Sequence, residues 1–394
     1  MDMHRCGYYD RRVEDKKWTN ESLLDCNSNK TYSFRRSFLR SFYWRLQYHW
    51  NRDATPYSII KILCTLSCLL MALNYLGFFD CMFEKSFENF QWPMSQVNVS
   101  RQVQLIKNGK QVEYLPLYTN QIKFVAMPRD ASSICEKENG KELILVLVKS
   151  RPENSRIRKQ IRAKWRSELD EIGIHERFDT ALYFVTGTPP DHFTNTYLKN
   201  ESSLYGDHIR GNFMDEGDIK FANQTQAIIA AWIWTYEKCL NKPSFTIIIS
   251  DQFEISIKLL LQFFKMNKFN PANPLYLGFL HKKPKVQRSV LSCDSISLSE
   301  YPFSYFPSYI DSGAMVFSKE GLTMFYLANQ YVMPFKQEPI HVGLVAKLVG
   351  VEPEHSDLFK IQESNGQSYF RCAQCSARNE ENGGAEFVVW PRLA

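Results

Sequence analysis

The sequence has no dense run of basic residues, no internal repeat and no complete set of zinc ligands. Its net charge of +6 is spread along the chain, so a nucleic-acid partner is not indicated. Cys372-x-x-Cys375 lacks the second Cys or His pair that a four-ligand zinc site needs, which favours disulfides instead. Hydrophobic residues make up 44% of the 394 residues, with 28 Phe and 20 Tyr. This composition is typical of a folded, well-packed chain and excludes general disorder.

One long apolar run lies near the amino terminus. Residues 62–79 carry no charge, and with Ile59 and Ile60 the run reaches ~20 residues, the length of a membrane-spanning helix. The run is too far from Met1 and too long to be a signal peptide. Arginines precede it and acidic residues follow it, which predicts a cytosolic amino terminus. A buried core helix is the alternative interpretation of this run.

The predicted arrangement is therefore a type II membrane protein with most of the chain lumenal. About 315 residues follow the span, enough for one large domain or two small ones. Four segments are predicted: a cytosolic tail (1–58), a transmembrane helix (59–79), a lumenal stem (80–140) and a folded lumenal domain (141–394).

Cysteines and glycosylation sequons are consistent with a lumenal domain. Six cysteines follow the span, and an even number can pair fully in an oxidising lumen, in a connectivity that the sequence does not reveal. Sequons at Asn98, Asn200 and Asn223 are expected to be available to glycosylation. Those at Asn20 and Asn29 lie in the predicted cytosolic tail and should stay unmodified.

Short apolar runs and helical patterns alternate after residue 142. The apolar runs are typical of strands that are buried on both faces of a parallel sheet. The alternation predicts an α/β fold with a mostly parallel central sheet and helices on both faces. The predicted strands are 143–148, 181–186 and 245–249, and the predicted helices are 150–170, 225–240 and 255–264.

Ligands of such folds bind beyond the carboxyl ends of the strands, so residues 186–191 and 250–254 form a candidate site. Asp251 and Glu254 follow the third predicted strand. Two carboxylates there can hold a divalent cation that bridges a diphosphate. Alternatively, Asp251 is the N-cap of the following helix and Glu254 completes a capping box, and the residues alone favour this cap.

Glu338 is a candidate general base, because a carboxylate follows an apolar run there. It can equally open a helix over residues 340–348, since Pro339 suits the first helical turn. The neighbouring His341 is interpreted as a packing or surface residue.

Arg158 and Arg162 share one face of the helix that is predicted over residues 150–170. Two planar guanidinium groups on one face can bind phosphates through paired hydrogen bonds. The alternative, which the residues alone favour, is solvated surface charge.

Five blocks of residues follow one another between residues 142 and 352. They are 145–150 with Arg158, Ile161, Arg162 and Trp165; 184–187; Glu201, 205–207, Ile209, Phe213 and Asp215; Tyr309, Gly313, Val316 and Ser318; and Glu338, Val342, Gly343, Gly350 and Val351. With these blocks in this order, the chain resembles the beta-1,3-galactosyltransferase-like family of Golgi glycosyltransferases. Type II topology with a stem also matches this family.

The resemblance implies a GT-A fold, a UDP-sugar donor and a metal-dependent inverting transfer, with Mn²⁺ as the expected cofactor. Galactose or a related hexose or N-acetylhexosamine would pass in beta-1,3 linkage to a glycan or glycoprotein acceptor in the Golgi. The expected roles are metal and diphosphate binding for Asp251 and Glu254, the base for Glu338, and donor contacts or their support for Arg158, Arg162, Trp165 and Asp207.

Four positions depart from the family pattern. Asn223 stands where the family carries a lysine, Ile310 stands where it carries a cysteine, and the other two are expected site positions. Phe253 stands where the family carries its metal-binding aspartate, and Pro339 stands where it carries its catalytic aspartate. These departures keep a second interpretation open, a pseudoenzyme that retains the fold as a lumenal binding partner. A lectin-like membrane receptor is a third.

Overall fold

The computed structural model describes the chain in nine stretches. The described residues divide into two compact units, one with residues 56–83, 288–289 and 295–297 and the other with the remaining described residues. The described residues are 56–90, 97–118, 122–136, 140–172, 177–214, 222–239, 243–289, 295–360 and 387–392.

The first unit contains two helices in the region of the long apolar run. Helix α1 spans Pro56–Tyr75 and helix α2 spans Phe78–Phe83. Gly77 separates them with a φ of 74°, a left-handed conformation that glycine adopts without strain. The run predicted as one helix over 59–79 is thus divided. Within the described stretches, no helix combines the length and the apolar character that crossing a membrane requires.

The second unit contains the remaining helices and the strands. The helices are α3 (Val99–Lys107), α4 (Ala131–Glu136), α5 (Ser155–Ile172), α6 (His192–Tyr205), α7 (Ala222–Cys239), α8 (Ile257–Asn267), α9 (Lys319–Asn329) and α10 (Glu338–Val349). The strands are β1 (Phe124–Ala126), β2 (Glu142–Lys149), β3 (Phe178–Thr188), β4 (His208–Met214), β5 (Pro243–Ser250), β6 (Phe253–Ile255), β7 (Tyr276–His281), β8 (Tyr309–Ser318), β9 (Glu354–His355) and β10 (Val389–Pro391).

Eight strands form the central sheet in the order β1-β4-β3-β2-β5-β8-β7-β9. Strands β4, β3, β2 and β5 run parallel, whereas β1 and β8 are antiparallel to their neighbours. A separate pair joins β6 to β10. The predicted α/β class and mostly parallel sheet are confirmed, and the three predicted strands are β2, β3 and β5.

Both faces of the sheet are covered by apolar side chains. Along β2, Leu143, Leu145 and Leu147 pack in one core cluster, and the alternate residues Ile144 and Val146 pack in the other. This alternation follows from the two-residue period of a strand. A strand buried on both faces needs apolar residues at every position, which explains the continuous run in the sequence.

Residues 97–136, predicted as part of a stem, instead belong to the folded unit. Helix α3 buries Val99 and Val103 in the core, and strand β1 extends the sheet beside β4. A disulfide joins Cys135 on α4 to Cys239 on α7. A short strand and two short helices carry little periodicity of their own, so their place in the core depends on partners far along the chain.

Candidate active site

Polar residues from four strands meet at one edge of the sheet. Lys149 and Ser250 are paired at the carboxyl ends of β2 and β5. Strand β8 runs the opposite way, so its first residues reach the same edge, where Ile249 pairs with Ala314. Strand β7 ends there too, with His281 paired to Tyr309. The site was predicted at the carboxyl ends of the strands. At this edge of the sheet, groups that are distant in sequence lie close together.

Asp251 lies at the centre of this edge and is only 3% exposed. Its Oδ2 accepts hydrogen bonds from Ser150 Oγ at 2.7 Å and from Asn154 Nδ2 at 2.8 Å. Asp251 does not cap the next helix, because Ser256 is the N-cap of α8 and accepts from the Leu259 amide. The capping interpretation of Asp251 was therefore wrong, and strand β6 lies between the two features.

Glu254 and Phe253 lie on β6 and face other partners. The Glu254 carboxylate is paired with Lys164 and, at 3.3 Å, with Arg392. The Phe253 ring fills the space beside Gly313, where an added Cβ would lie 2.7 Å from the ring. Divalent cations need several oxygen ligands, and no group of three His, Cys, Asp or Glu in the described stretches could hold one. The predicted Asp251 and Glu254 pair does not fit a metal site.

Arg158 and Arg162 lie in a network of charges between α5, α6 and β4. Arg158 is fully buried and binds both oxygens of Glu201, at 2.9 and 2.7 Å, and Ser150 Oγ at 2.9 Å. Arg162 donates to Asp207 at 2.6 Å and to Glu201 at 2.8 Å. The interpretation as solvated surface charge was wrong. Both guanidinium groups are engaged by protein rather than presented as forks to a ligand, and Arg158 supports the Ser150–Asp251 contact through Ser150.

The charge network also changes the acidity of Glu201. Burial alone would raise the pKa of its carboxyl group, but hydrogen bonds from His208 and Arg158 and the charge of Arg158 lower the pKa well below its usual range. The carboxylate is therefore ionised at any physiological pH. Asp207 was predicted to contact the UDP-sugar donor. It belongs to the same network, because it forms an ion pair with Arg162.

Trp165 lies on α5, as do the two arginines. It lines a pocket with Lys164, Phe253, Glu254 and Arg392, next to the carboxyl ends of β2 and β5. The resemblance implied that Trp165 lines or supports the nucleotide side, and that role stays a prediction.

Glu338 opens helix α10, as the alternative interpretation of this residue predicted. Its side chain is fully buried and forms an ion pair with Lys149, whose ammonium also donates to the Ser312 carbonyl at 3.2 Å. Burial raises the pKa of the Glu338 carboxyl group, and the Lys149 charge opposes this shift. A general base must reach the proton that it removes. The enclosed Glu338 instead fixes Lys149 at the edge of the sheet.

The approach of α10 to the sheet depends on a small residue. A Cβ on Gly343 would lie 2.7 Å from the Tyr309 Cβ, so only glycine lets α10 come this close to β8. His341 is fully buried, with Nε2 2.8 Å from Asn329 Oδ1, and burial lowers its pKa to about 3. The prediction that His341 is a packing residue is confirmed.

The sequence reasoning missed one pair at this edge, His281 and Asp311. His281 Nε2 lies 3.0 Å from Asp311 Oδ2, and the Gly313 amide donates to Asp311 Oδ1 at 2.9 Å. His281 ends an apolar strand and Asp311 lies in the fourth family block. The antiparallel pairing of β7 with β8 was not predicted. The sequence pattern therefore gave no sign that the two residues are neighbours in the structure.

Comparison with known proteins identifies the family of the chain. The galactosyltransferase family model matches residues 156–357. "UDP-GalNAc:beta-1,3-N-acetylgalactosaminyltransferase 1" of Mus musculus is 30% identical over 261 residues, covering 63% of this chain and 72% of the mouse protein. "Beta-1,3-galactosyltransferase 9" of Homo sapiens is 26% identical over 309 residues, covering 78% of each chain.

Solved structures show a weaker likeness. Mouse xyloside xylosyltransferase 1 is 11% identical, with a TM-score of 0.29 over 55% of this chain and 85% of that one. That value is too low to support an argument about the fold. The match to the family model, by contrast, includes four of the five blocks in full and the Arg158–Trp165 helix of the first. The chain therefore belongs to the galactosyltransferase family of glycosyltransferase enzymes.

Proposed function

We propose that this chain is an inverting hexosyltransferase that uses a UDP-sugar donor. It transfers galactose or a related hexose or N-acetylhexosamine in beta-1,3 linkage to a hydroxyl of a glycan or glycoprotein. The observation that carries the proposal is the family match over residues 156–357, which contains the strands that bring Asp251, Ser312 and Gly313 together. The comparisons do not favour the pseudoenzyme alternative.

The chemistry is a single displacement at the anomeric carbon. The acceptor oxygen attacks that carbon, the bond from the carbon to the diphosphate oxygen breaks, and its electron pair leaves with UDP. A base takes the hydroxyl proton, and positive charge near the diphosphate stabilises the leaving group. Lys149 at the sheet edge and the exposed Arg151 beyond it are basic residues near Asp251.

Mn²⁺ was expected from the resemblance, but the residues on this turn do not form its ligand set. Phe253 cannot coordinate a metal, and the Glu254 carboxylate is held by Lys164 and Arg392. We therefore derive no step through a metal. Asp251 remains the acidic group at the centre of the edge, and its Oδ1 makes no hydrogen bond within the described part of the chain. That oxygen is free to accept from a hydroxyl of the donor.

The Asp251→Asn variant tests the donor site. We expect UDP affinity to fall about tenfold or more, because a hydrogen bond to a charged group contributes ~1.5–3 kcal/mol. The measurement is calorimetry of UDP binding to the detergent-solubilised full chain, first with Mn²⁺ and then with EDTA. Because the ligand set is incomplete, EDTA should weaken binding less than the substitution does.

The matched control is Asp179→Asn, at the start of β3, where Asp179 pairs with Lys141 at 3.9 Å. This residue lies at the amino end of its strand, so UDP binding should be unchanged. A UDP affinity of Asp251→Asn within twofold of wild type would remove Asp251 from the donor site. Absence of sugar transfer by the wild-type chain to a panel of glycan acceptors would overturn the proposed function.

The proposal also places the folded unit in the Golgi lumen, with residues 59–79 as a type II anchor. Three observations support it: the charge asymmetry around the apolar run, the Cys135–Cys239 disulfide, and apolar side chains on α1 that are more than half exposed. Disulfides persist in oxidising compartments. Ile60, Leu63 and Met71 are examples of the exposed apolar residues.

Glycosylation at Asn200 tests this placement. Asn200 is exposed on α6, so the full chain expressed in cells should lose one glycan in the Asn200→Gln variant. The Asn20→Gln variant is the control and should migrate like wild type, since Asn20 lies in the predicted cytosolic tail. The measurement is gel mobility before and after endoglycosidase. A wild-type chain whose mobility does not respond to the enzyme would contradict lumenal placement.

A further inference from the structure

Neither of the two positions at which a base was expected supplies one. Pro339 cannot take a proton, and the Glu338 carboxylate is enclosed with Lys149. We propose that His281, oriented by Asp311, is the general base of the transfer reaction. The proposal rests on the proposed function, since it assigns a role within that reaction.

The position of the pair follows from the strand register. His281 is the last residue of β7 and pairs with Tyr309, and Asp311 lies two residues further along β8. Ile249 pairs with Ala314, so the neighbouring residue Gly313 lies next to the end of β5. The His281–Asp311 pair is thus at the same edge of the sheet as Asp251, on the side of β8 and β7.

Hydrogen bonds fix the orientation of the imidazole. Asp311 Oδ1 is held by the Gly313 amide at 2.9 Å, and Oδ2 lies 3.0 Å from His281 Nε2. A carboxylate accepts hydrogen bonds only, so Nε2 carries the hydrogen and Nδ1 is the free lone pair. The tautomer is assigned from the hydrogen bond to Asp311, since histidine tautomers are generally inferred from the hydrogen-bond network.

The His281 side chain is partly exposed, and its free nitrogen has no partner in the described part of the protein. The His281 side chain is 24% exposed, and Nδ1 has no hydrogen-bond partner within the described residues. The ring is held on two sides, with centroids 5.1 Å from Tyr309 and 5.5 Å from Phe279. A base that is rigidly held and partly exposed matches what proton abstraction from a bound hydroxyl requires.

One carboxylate lies next to the ring, and a lysine at the same edge of the sheet is already engaged. Asp311 is adjacent, whereas Lys149 is already paired with Glu338. The Asp311 carboxylate lies near enough to Glu338 that, in addition to burial, its charge raises the Glu338 pKa. The titratable and charged groups around the ring are Asp311 and Tyr309 on β8, His355 on β9 behind Phe279, Glu338 on α10 with Lys149 on β2, and Lys282 and Lys283 next in the chain.

The proton and electron balance of the step is complete without another reactant. The acceptor O–H proton passes to His281 Nδ1 as the acceptor oxygen bonds to the anomeric carbon. The bond from that carbon to the diphosphate oxygen breaks, and UDP leaves with the electron pair. The imidazolium then releases its proton to water, which restores the neutral ring. Asp311 keeps its charge throughout and acts as a positioning residue.

The test is a comparison of His281→Gln and Asp311→Asn with wild type in the solubilised full chain. We expect kcat to fall about 10²–10⁴-fold in His281→Gln, the usual contribution of a general base, with the UDP affinity within about twofold of wild type. In wild type, log kcat should fall at acidic pH, and this acidic limb should be absent in His281→Gln. Asp311→Asn should retain a limb but shift it, since the amide no longer stabilises the imidazolium.

The matched control is His192→Gln, which replaces an exposed histidine at the start of α6 and should leave kcat and its pH profile unchanged. A kcat of His281→Gln within threefold of wild type would overturn the assignment. Equal loss of kcat and of UDP binding, with a lowered melting temperature, would overturn it too, because that pattern marks a structural residue. An inactive wild-type chain that still binds UDP would instead contradict the proposed function.

Discussion

Replacing Lys149 by methionine should lower the free energy of unfolding by about 3–5 kcal/mol, the usual loss when one partner of a buried ion pair is removed. Glu338 is fully buried, and its second oxygen, Oε2, makes no hydrogen bond within the described part of the chain. Without Lys149 the carboxylate would be an uncompensated charge in the interior. Chemical denaturation of the full chain, followed by tryptophan fluorescence, measures the loss.

The penalty should depend on pH. In the variant, burial raises the folded-state pKa of Glu338 with no cation to oppose it. A carboxyl group with a raised pKa destabilises the fold above that pKa, and the penalty shrinks as pH falls toward the unfolded value of about 4.3. Lys149→Met should therefore be less destabilised at pH 5 than at pH 8.

The double variant Lys149→Met with Glu338→Leu is the matched control. It removes both charges and should restore most of the lost stability, because an apolar pair of similar volume often replaces a buried ion pair at little cost. A single variant as stable as wild type at pH 8 would show that Glu338 is not charged in the native protein. Glu338→Gln addresses the predicted base: a large loss of kcat with unchanged stability and UDP affinity would favour Glu338 over His281.

Arg158→Ala should also lower the free energy of unfolding by about 3–5 kcal/mol. Arg158 is fully buried and binds both oxygens of Glu201, as well as Ser150 Oγ and the Pro152 carbonyl. Its loss would leave the Glu201 carboxylate with fewer donors in a buried place. Since Ser150 in turn donates to Asp251, UDP affinity should fall as well.

This loss should also shrink as pH falls, although the Glu201 pKa is lowered in the folded protein whereas the Glu338 pKa is raised. A depressed pKa of Glu201 stabilises the fold above the unfolded value of about 4.3, and this stability is lost as pH falls. Removing Arg158 should weaken that contribution, so the variant should lose less stability on acidification than wild type. Lys159→Ala, at the exposed neighbouring residue, is the control and should change stability by less than about 0.5 kcal/mol. A comparable effect of both substitutions would contradict the role of Arg158 in the network.

Much of the fold was readable from local patterns. The continuous run at residues 143–148 became β2, and the helix predicted over residues 150–170 became α5. The Pro339 signal for a helix start was also confirmed. The stem prediction failed over residues 97–136, because α3 and β1 are short and owe their place to packing against α9, α10 and β4.

The candidate site was less readable. Asp251 was located at the edge of the sheet, but its neighbour Glu254 was assigned to a metal that the turn does not accommodate. Strand β6 intervenes and carries Glu254 to Lys164 and Arg392. A three-residue strand that pairs with the carboxyl-terminal β10 leaves no periodic signal, so the sequence pattern favoured a helix start instead.

The α/β class, the alternation of strands and helices, and the blocks that carry the family resemblance follow from local patterns, because these are properties of neighbouring residues. Which polar groups are enclosed and which are available depends instead on contacts between distant parts of the chain. Lys149 meets Glu338 across 189 positions, Arg158 meets Glu201 across 43, and His281 meets Asp311 across 30. Burial and hydrogen bonding depend on such distant partners, and they distinguish an enclosed carboxylate from an accessible base.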